Sequence, residues 1–138
     1  WLSNISLARG DVRGAEQGLR QVLEIRKAVY GPVHHQVAHT LSTIARVQQQ
    51  RGAFVQAEET LREALVIEKQ DVGDDHQFVS EILDQMARLS LARGDLEKAE
   101  ELFRATLLMR EKVMGPEHSL TPATRADLAG LLQRRARE

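Results

Sequence analysis

Three histidines recur at one step along the chain: His34, His76 and His118. Histidine is the commonest metal ligand among side chains, so such a series could describe a metal cluster. Zinc ligands must all lie about 2.0–2.1 Å from one ion. Equivalent positions on successive helix pairs stand roughly 10 Å apart, a helix-packing distance. We therefore expect these histidines to serve turns or helix caps. His35 and His39 form an i, i+4 pair, a spacing that can hold Zn²⁺, but the sequence offers no obvious carboxylate or third histidine beside them, and no metal site is expected. Arg46 and Arg88 are a second repeated pair, and guanidinium forks of this kind suit acidic side chains or a terminal carboxylate. Asp84 precedes Arg88 by four residues and would hold it on its own helix face.

Other chemistry is absent or incidental. There is no Cys, which excludes disulfides, thiolate metal sites and cysteine nucleophiles. No His-Glu-x-x-His, Gly-x-Ser-x-Gly or Walker motif is present, and Gly10, Gly14 and Gly18 have the wrong spacing for a phosphate loop. Arg9-Gly10-Asp11 and Arg93-Gly94-Asp95 spell an adhesion tripeptide, yet both fall where a turn is expected. Asn4-Ile5-Ser6 matches a glycosylation sequon inside an expected helix and is read as incidental. Glu58-Glu59 and Glu100-Glu101 are expected to face solvent. The tail Arg134-Arg135-Ala136-Arg137 reads as a solvated helix end, since cations favour a helix C-terminus.

The elements that position these residues follow from an internal repeat. Gly10, Gly52 and Gly94 are separated by 42 residues, as are Gly31, Gly73 and Gly115. Ala15, Ala57 and Ala99 keep the step, and so do Glu16, Glu58 and Glu100, Ala45, Ala87 and Ala129, and Arg9, Arg51, Arg93 and Arg135. About three and a third copies of one unit fill the chain: 1–31 (partial), 32–73, 74–115 and 116–138 (partial). Within each unit the apolar residues follow a 3–4 spacing in two stretches. Val37, Ala38, Leu41, Ile44, Ala45 and Val47 mark one; Phe54, Ala57, Leu61, Ala64, Leu65 and Ile67 mark the other. Val79, Leu83, Met86, Ala87 and Leu89, then Leu96, Ala99, Leu102, Phe103 and Leu107, repeat them. Glycines close both helices of a unit as left-handed caps. Thr121-Pro122 reads as an N-cap followed by proline. Helices are predicted at 1–9, 13–30, 35–51, 54–72, 76–93, 96–114 and 121–137. Ala45, Ala57, Ala87 and Ala99 are expected at helix–helix seams, where bulk would hold the helices apart.

Composition limits the function. Lys plus Arg is 19 and Asp plus Glu is 20, a near balance that excludes a basic nucleic-acid or membrane-surface binder. No apolar run approaches the roughly 20 residues of a membrane span. Trp1, rather than Met, opens the sequence, and we expect a piece of a longer protein, a cytoplasmic location, and self-association through the truncated N-terminal end, where Leu19, Val22 and Leu23 would be partly uncovered.

The unit resembles the tetratricopeptide repeat in its long, 42-residue form, found in kinesin light chains and many bacterial proteins. Ile44-Ala45, Gly52, Ala57, Leu61 and Ala64 carry one copy of its pattern, and Met86-Ala87, Gly94, Ala99, Phe103 and Thr106 the next. Gly115-Pro116-Glu117-His118 and Gly31-Pro32-Val33-His34 are similar to the long form's Gly-Pro-x-His turn, with Gly73-Asp74-Asp75-His76 a degraded copy. The aromatic usual four residues before the hairpin glycine is replaced by Ser6, Gln48 and Ser90, and Ser42 and Asp84 stand in the Asn-rich inner face, so that family's peptide specificity is not implied. The resemblance implies an all-α, right-handed superhelical solenoid of antiparallel helix pairs. It also implies a non-catalytic protein–protein interaction scaffold without cofactors, or an accessory repeat segment of a larger signalling enzyme such as a bacterial Ser/Thr kinase. The first helix of each pair would then line a groove for a partner peptide, with Asn4, His39, Ser42, Arg46, Gln49 and Gln50, then Glu81, Asp84, Arg88 and Leu91, facing it.

Overall fold

A computed structural model describes residues 12–137. Six α-helices and no strand are found among them: α1 (Val12–Tyr30), α2 (His35–Gln50), α3 (Phe54–Val72), α4 (Gln77–Ala92), α5 (Leu96–Met114) and α6 (Leu120–Ala136). Each begins and ends within one residue of its predicted span. The predicted helix at 1–9 lies outside the described residues.

The punctuation has a backbone cause. After α2, the Gly52 N–H donates to Gln49 O and the Ala53 N–H to Gln48 O, at 3.0 and 2.8 Å. After α4, Gly94 and Asp95 donate to Leu91 O and Ser90 O in the same way, both at 3.0 Å. This paired capping pattern needs a left-handed residue in the middle. Gly52 and Gly94 supply it with φ of 84° and 83°. The repeated histidines begin the first helices. His34 Nδ1 accepts the Gln36 N–H at 3.0 Å, His76 Nδ1 accepts that of Phe78 at 3.1 Å, and His118 Nδ1 accepts that of Leu120 at 3.3 Å. Each imidazole satisfies an amide that the helix leaves open. Their expected turn or cap role is what the geometry shows.

Thr121 does not cap α6 as predicted. It lies within the helix, fully buried, and its hydroxyl donates to Gly115 O at 2.9 Å. The His118 cap shifts the start to Leu120, so Pro122 falls in the first turn, where a missing N–H costs no helical bond.

The chain divides into two compact units, 1–72 and 73–138. In the first, α2 packs against α1 and α3. Its core holds Ala15, Leu23, Val37, Ala38, Leu41, Ile44, Ala45, Val47, Ala57, Leu61 and Ala64. In the second, α5 packs against α4 and α6, and Ala87, Ala99, Leu96, Phe103, Leu128 and Leu131 form one cluster. Ala45, Ala57, Ala87 and Ala99 are at most 1 % exposed, as their seam role requires. Leu83, predicted as core, is half-buried, and its neighbour Ile82 takes the interior position. On α1, Leu23 is buried and Leu19 and Val22 are half-buried; Ile25, Val29 and Tyr30 are large apolar residues open to solvent.

Candidate functional site

The predicted groove residues sit on α2 and α4, the first helices of their pairs. On α2, His39, Arg46 and Gln50 are exposed, Gln49 is half-buried, and Ser42 is buried. On α4, Glu81 and Arg88 are exposed, and Asp84 and Leu91 are half-buried. Asn4 lies outside the described residues. The seam alanines explain these placements. They turn one side of each helix inward, and residues one turn apart on the other side emerge to solvent.

Arg46 and Arg88 are sequence equivalents with different surroundings. Arg88 is bonded through two of its nitrogens. Nε donates to Asp84 Oδ2 at 3.0 Å, and Nη2 donates to Asp127 Oδ2 at 2.7 Å. The guanidinium carbon also stands 5.9 Å from the centre of the Phe103 ring. The hydrogen bond to Asp84 is the largest cause that raises its pKa above the usual arginine value, with Asp127 adding to it and partial burial opposing. Asp84 Oδ1 is buried without a hydrogen bond, and its compensation is the Arg110 guanidinium 3.8 Å away. Arg88 is therefore held by Asp84, as the spacing of four suggested, and by Asp127 from α6 as well. Arg46 has Ser42 where Arg88 has Asp84. It is exposed and makes no hydrogen bond or ion pair with another described residue.

Several polar residues were not foreseen as partners. Glu68 is buried, 1 % exposed, with Oε1 2.8 Å from His35 Nδ1. A carboxylate thus does stand beside the His35–His39 pair, whose rings lie 6.1 Å apart. Among the described residues no three His, Cys, Asp or Glu side chains are arranged so that they could hold a metal ion. Arg110, also buried, donates to Ser80 Oγ at 3.3 Å and to Thr124 Oγ1 at 2.7 Å. Arg26 donates to Thr40 Oγ1 at 2.8 Å, the same relation two units of the repeat earlier. Positions 26, 68 and 110 are one repeat position, charged in every copy, and that regularity is the signal that could have marked it. Gln48, standing where the repeat pattern has an aromatic, is buried and accepts from Thr60 Oγ1 at 2.8 Å.

Glu58 and Glu100 do not simply face solvent. Glu58 accepts from Arg62 at 2.6 Å, and Glu100 from Arg104 at 3.0 Å and from Arg135. These bonds, that of Arg104 first, hold the Glu100 carboxyl below the usual glutamate range. Arg135 is thereby anchored, unlike the freely solvated tail residue expected of it. Glu59 and Glu101 are exposed as predicted. In Arg93-Gly94-Asp95 the aspartate, still exposed, bonds back to the helix as a cap: Asp95 Oδ1 accepts the Lys98 N–H at 3.1 Å. The tripeptide around Gly10 and the Asn4 sequon lie outside the described residues.

Repeated helix pairs closed by histidine and glycine caps define a helical-repeat protein. Family models described as tetratricopeptide repeat match residues 1–70 and 79–120. The chain belongs to the tetratricopeptide repeat family, whose repeats mediate protein–protein interactions. Two solved structures of a Podosopora anserina protein described as a kinesin light chain with nearly identical TPR-like repeats, the second a Q17M variant, are similar to it. They share 24 % and 23 % identity, with TM-scores of 0.80 and 0.78, over 98 % and 94 % of this chain and 64 % and 61 % of theirs. BtubC (BKLC) from P. vanneervenii is similar at 20 % identity and a TM-score of 0.84, over 97 % of this chain and 53 % of that one. The fold class is thus all-α and tetratricopeptide-like, with kinesin-light-chain-like repeats. The chain spans about half to two thirds of the length of these relatives. No curated protein matches it in sequence. No helix among the described residues is long and apolar enough to cross a membrane.

Proposed function

We propose that this chain is a non-catalytic scaffold that binds an extended segment of a protein partner on the exposed faces of its first helices. The observation that carries the reading is Arg46. An exposed guanidinium without a partner among the described residues, beside the amides of Gln49 and Gln50, offers donors and acceptors to a peptide backbone, which presents one of each at every non-proline residue. Its fork adds a preference for a carboxylate. His39 extends the α2 face, with Ser42 buried beneath it. On α4, Glu81, Asp84, Arg88 and Leu91 form the corresponding face, and Arg88 enters binding only by exchanging Asp84 or Asp127 for the partner. Nucleic acid does not suit a chain with a net charge of −1.

The test is a random-peptide display selection against the immobilised chain, followed by NMR titration with an enriched peptide. The proposal expects the largest shifts at Arg46 Nε and at the side-chain amides of Gln49 and Gln50. Shifts confined to α3 and α5 would contradict it. Self-association is the second part of the proposal. Ile25 and Val29 are 62 % and 69 % exposed one turn apart on α1, with Tyr30 beside them. Light scattering should detect dimers at high concentration that Ile25→Lys/Val29→Lys abolishes; a strict monomer would refute this.

A further inference from the structure

The first unit carries an open depression of about 210 Å³, lined by Arg13, Glu16, Gln17, Arg20 and Arg51. Arg13, Gln17 and Arg20 come from one side of α1, and Arg51 reaches in from the C-terminal cap of α2. Glu16 is spoken for within the protein: it accepts from Arg20 at 3.2 Å, Arg51 at 3.0 Å and Gln48 at 3.5 Å. Arg51 also donates to Gln56 at 2.8 Å. Arg13 and Gln17 are exposed and hydrogen-bond to no other described residue. Three guanidiniums against one carboxylate leave two positive charges around the depression.

The repeat separates what the fold needs from what this place adds. The Arg51–Glu16 pair returns as Arg135–Glu100 in the second unit, so the pair is part of the scaffold. Arg13 and Gln17 are not. Their sequence equivalents are Val55 and Glu59, then Glu97 and Glu101. One repeat position is therefore basic in its first copy and acidic in its third. A structural requirement for Arg13 or Gln17 would have appeared in every copy.

We infer that this depression binds a phosphomonoester group. A phosphomonoester carries about −1.5 to −2 charge near neutral pH and three strong acceptor oxygens. Two surplus positive charges match that dianion better than the single charge of a carboxylate. Guanidinium forks bind phosphate oxygens in bidentate fashion. Gln17 adds an amide donor at the rim. None of its lining residues is among those invoked for peptide binding, and its test does not depend on that proposal.

The experiment titrates the isotope-labelled chain at low ionic strength, where exposed charges are least screened, with inorganic phosphate, capped phosphoserine and acetate in separate arms. The Arg13, Arg20 and Arg51 Nε–H resonances should move with both phosphates, at half-saturations at least tenfold lower than with acetate. Tighter binding of phosphoserine than of inorganic phosphate identifies a phosphorylated partner side chain as the ligand; equal binding identifies the free ion. Gln17→Glu should weaken phosphate at least tenfold with an unchanged helical spectrum, since positions 59 and 101 already hold glutamate in this fold. Arg13→Gln should do the same, and Arg104→Gln should change nothing. Absent shifts, acetate binding as tightly as phosphate, or Gln17→Glu without effect would overturn the inference.

Discussion

At the scale of single residues, three histidines that look like metal ligands work as helix caps, and a cap is a replaceable function. His76→Ala should cost about 1 kcal/mol in a urea melt, whereas His76→Asn, which keeps an acceptor at that position, should retain most of the stability. Loss of stability in both variants alike would point to packing rather than capping. Comparison of the copies also locates a missing cap. Asp95 closes the start of α5, but its equivalent before α3 is Ala53. Ala53→Asp should raise stability by about 0.5–1 kcal/mol. Glu100 provides a titration test. Its pKa is depressed, so its ion pairs stabilise the fold above the unfolded carboxyl value, and that contribution disappears as pH falls through the lower folded value. By carboxyl NMR, Glu100 should titrate below the usual glutamate range, and Arg104→Ala should move it upward by more than Arg135→Ala does.

The helices themselves were almost fully legible in the sequence. The 42-residue step fixed their order, the glycines their ends, and the small alanines their seams. The largest miss at this scale was at α6, where Thr121-Pro122 imitates a cap but the histidine three residues earlier outcompetes it. Long-range polar partners were not legible. Nothing local in Glu68 indicates that it turns back to His35, or in Asp127 that it meets Arg88 across 39 residues of chain. Periodicity reports which face of a helix is buried, and it says little about where a long side chain on that face ends. The seam assignment carries its own prediction. Ala57→Leu or Ala99→Leu overfills a close helix contact and should cost roughly 1–3 kcal/mol. An exposed change such as Glu59→Gln should stay within about 0.5 kcal/mol. Equal effects in a urea melt would refute the register. Gly94→Val should destabilise as well, because a β-branched residue is strained at a φ of 83°.

For the whole molecule, the repeat supplies the same scaffold several times while the variable positions give each copy its own surface. Arg46 and Arg88 show this, one open and one locked between two aspartates, and so do Arg13 and Gln17, whose places in the third copy are taken by Glu97 and Glu101. A side chain with no partner among the described residues, such as Arg46 or Arg13, meets a ligand without first giving up bonds of its own, whereas Arg88 must exchange Asp84 or Asp127. The central claim is that a partner segment is read from the first helices. It is tested most directly by the affinity of a selected peptide for wild type, Arg46→Ala, and the second-helix double variant Arg62→Ala/Arg104→Ala. Loss of a charge-assisted hydrogen bond should make Arg46→Ala weaker by roughly 1.5–3 kcal/mol, about a ten- to hundredfold rise in Kd. The second-helix variant should bind as wild type does. Binding abolished by Arg62→Ala/Arg104→Ala and unaffected by Arg46→Ala would place the partner on the opposite helices and contradict the account.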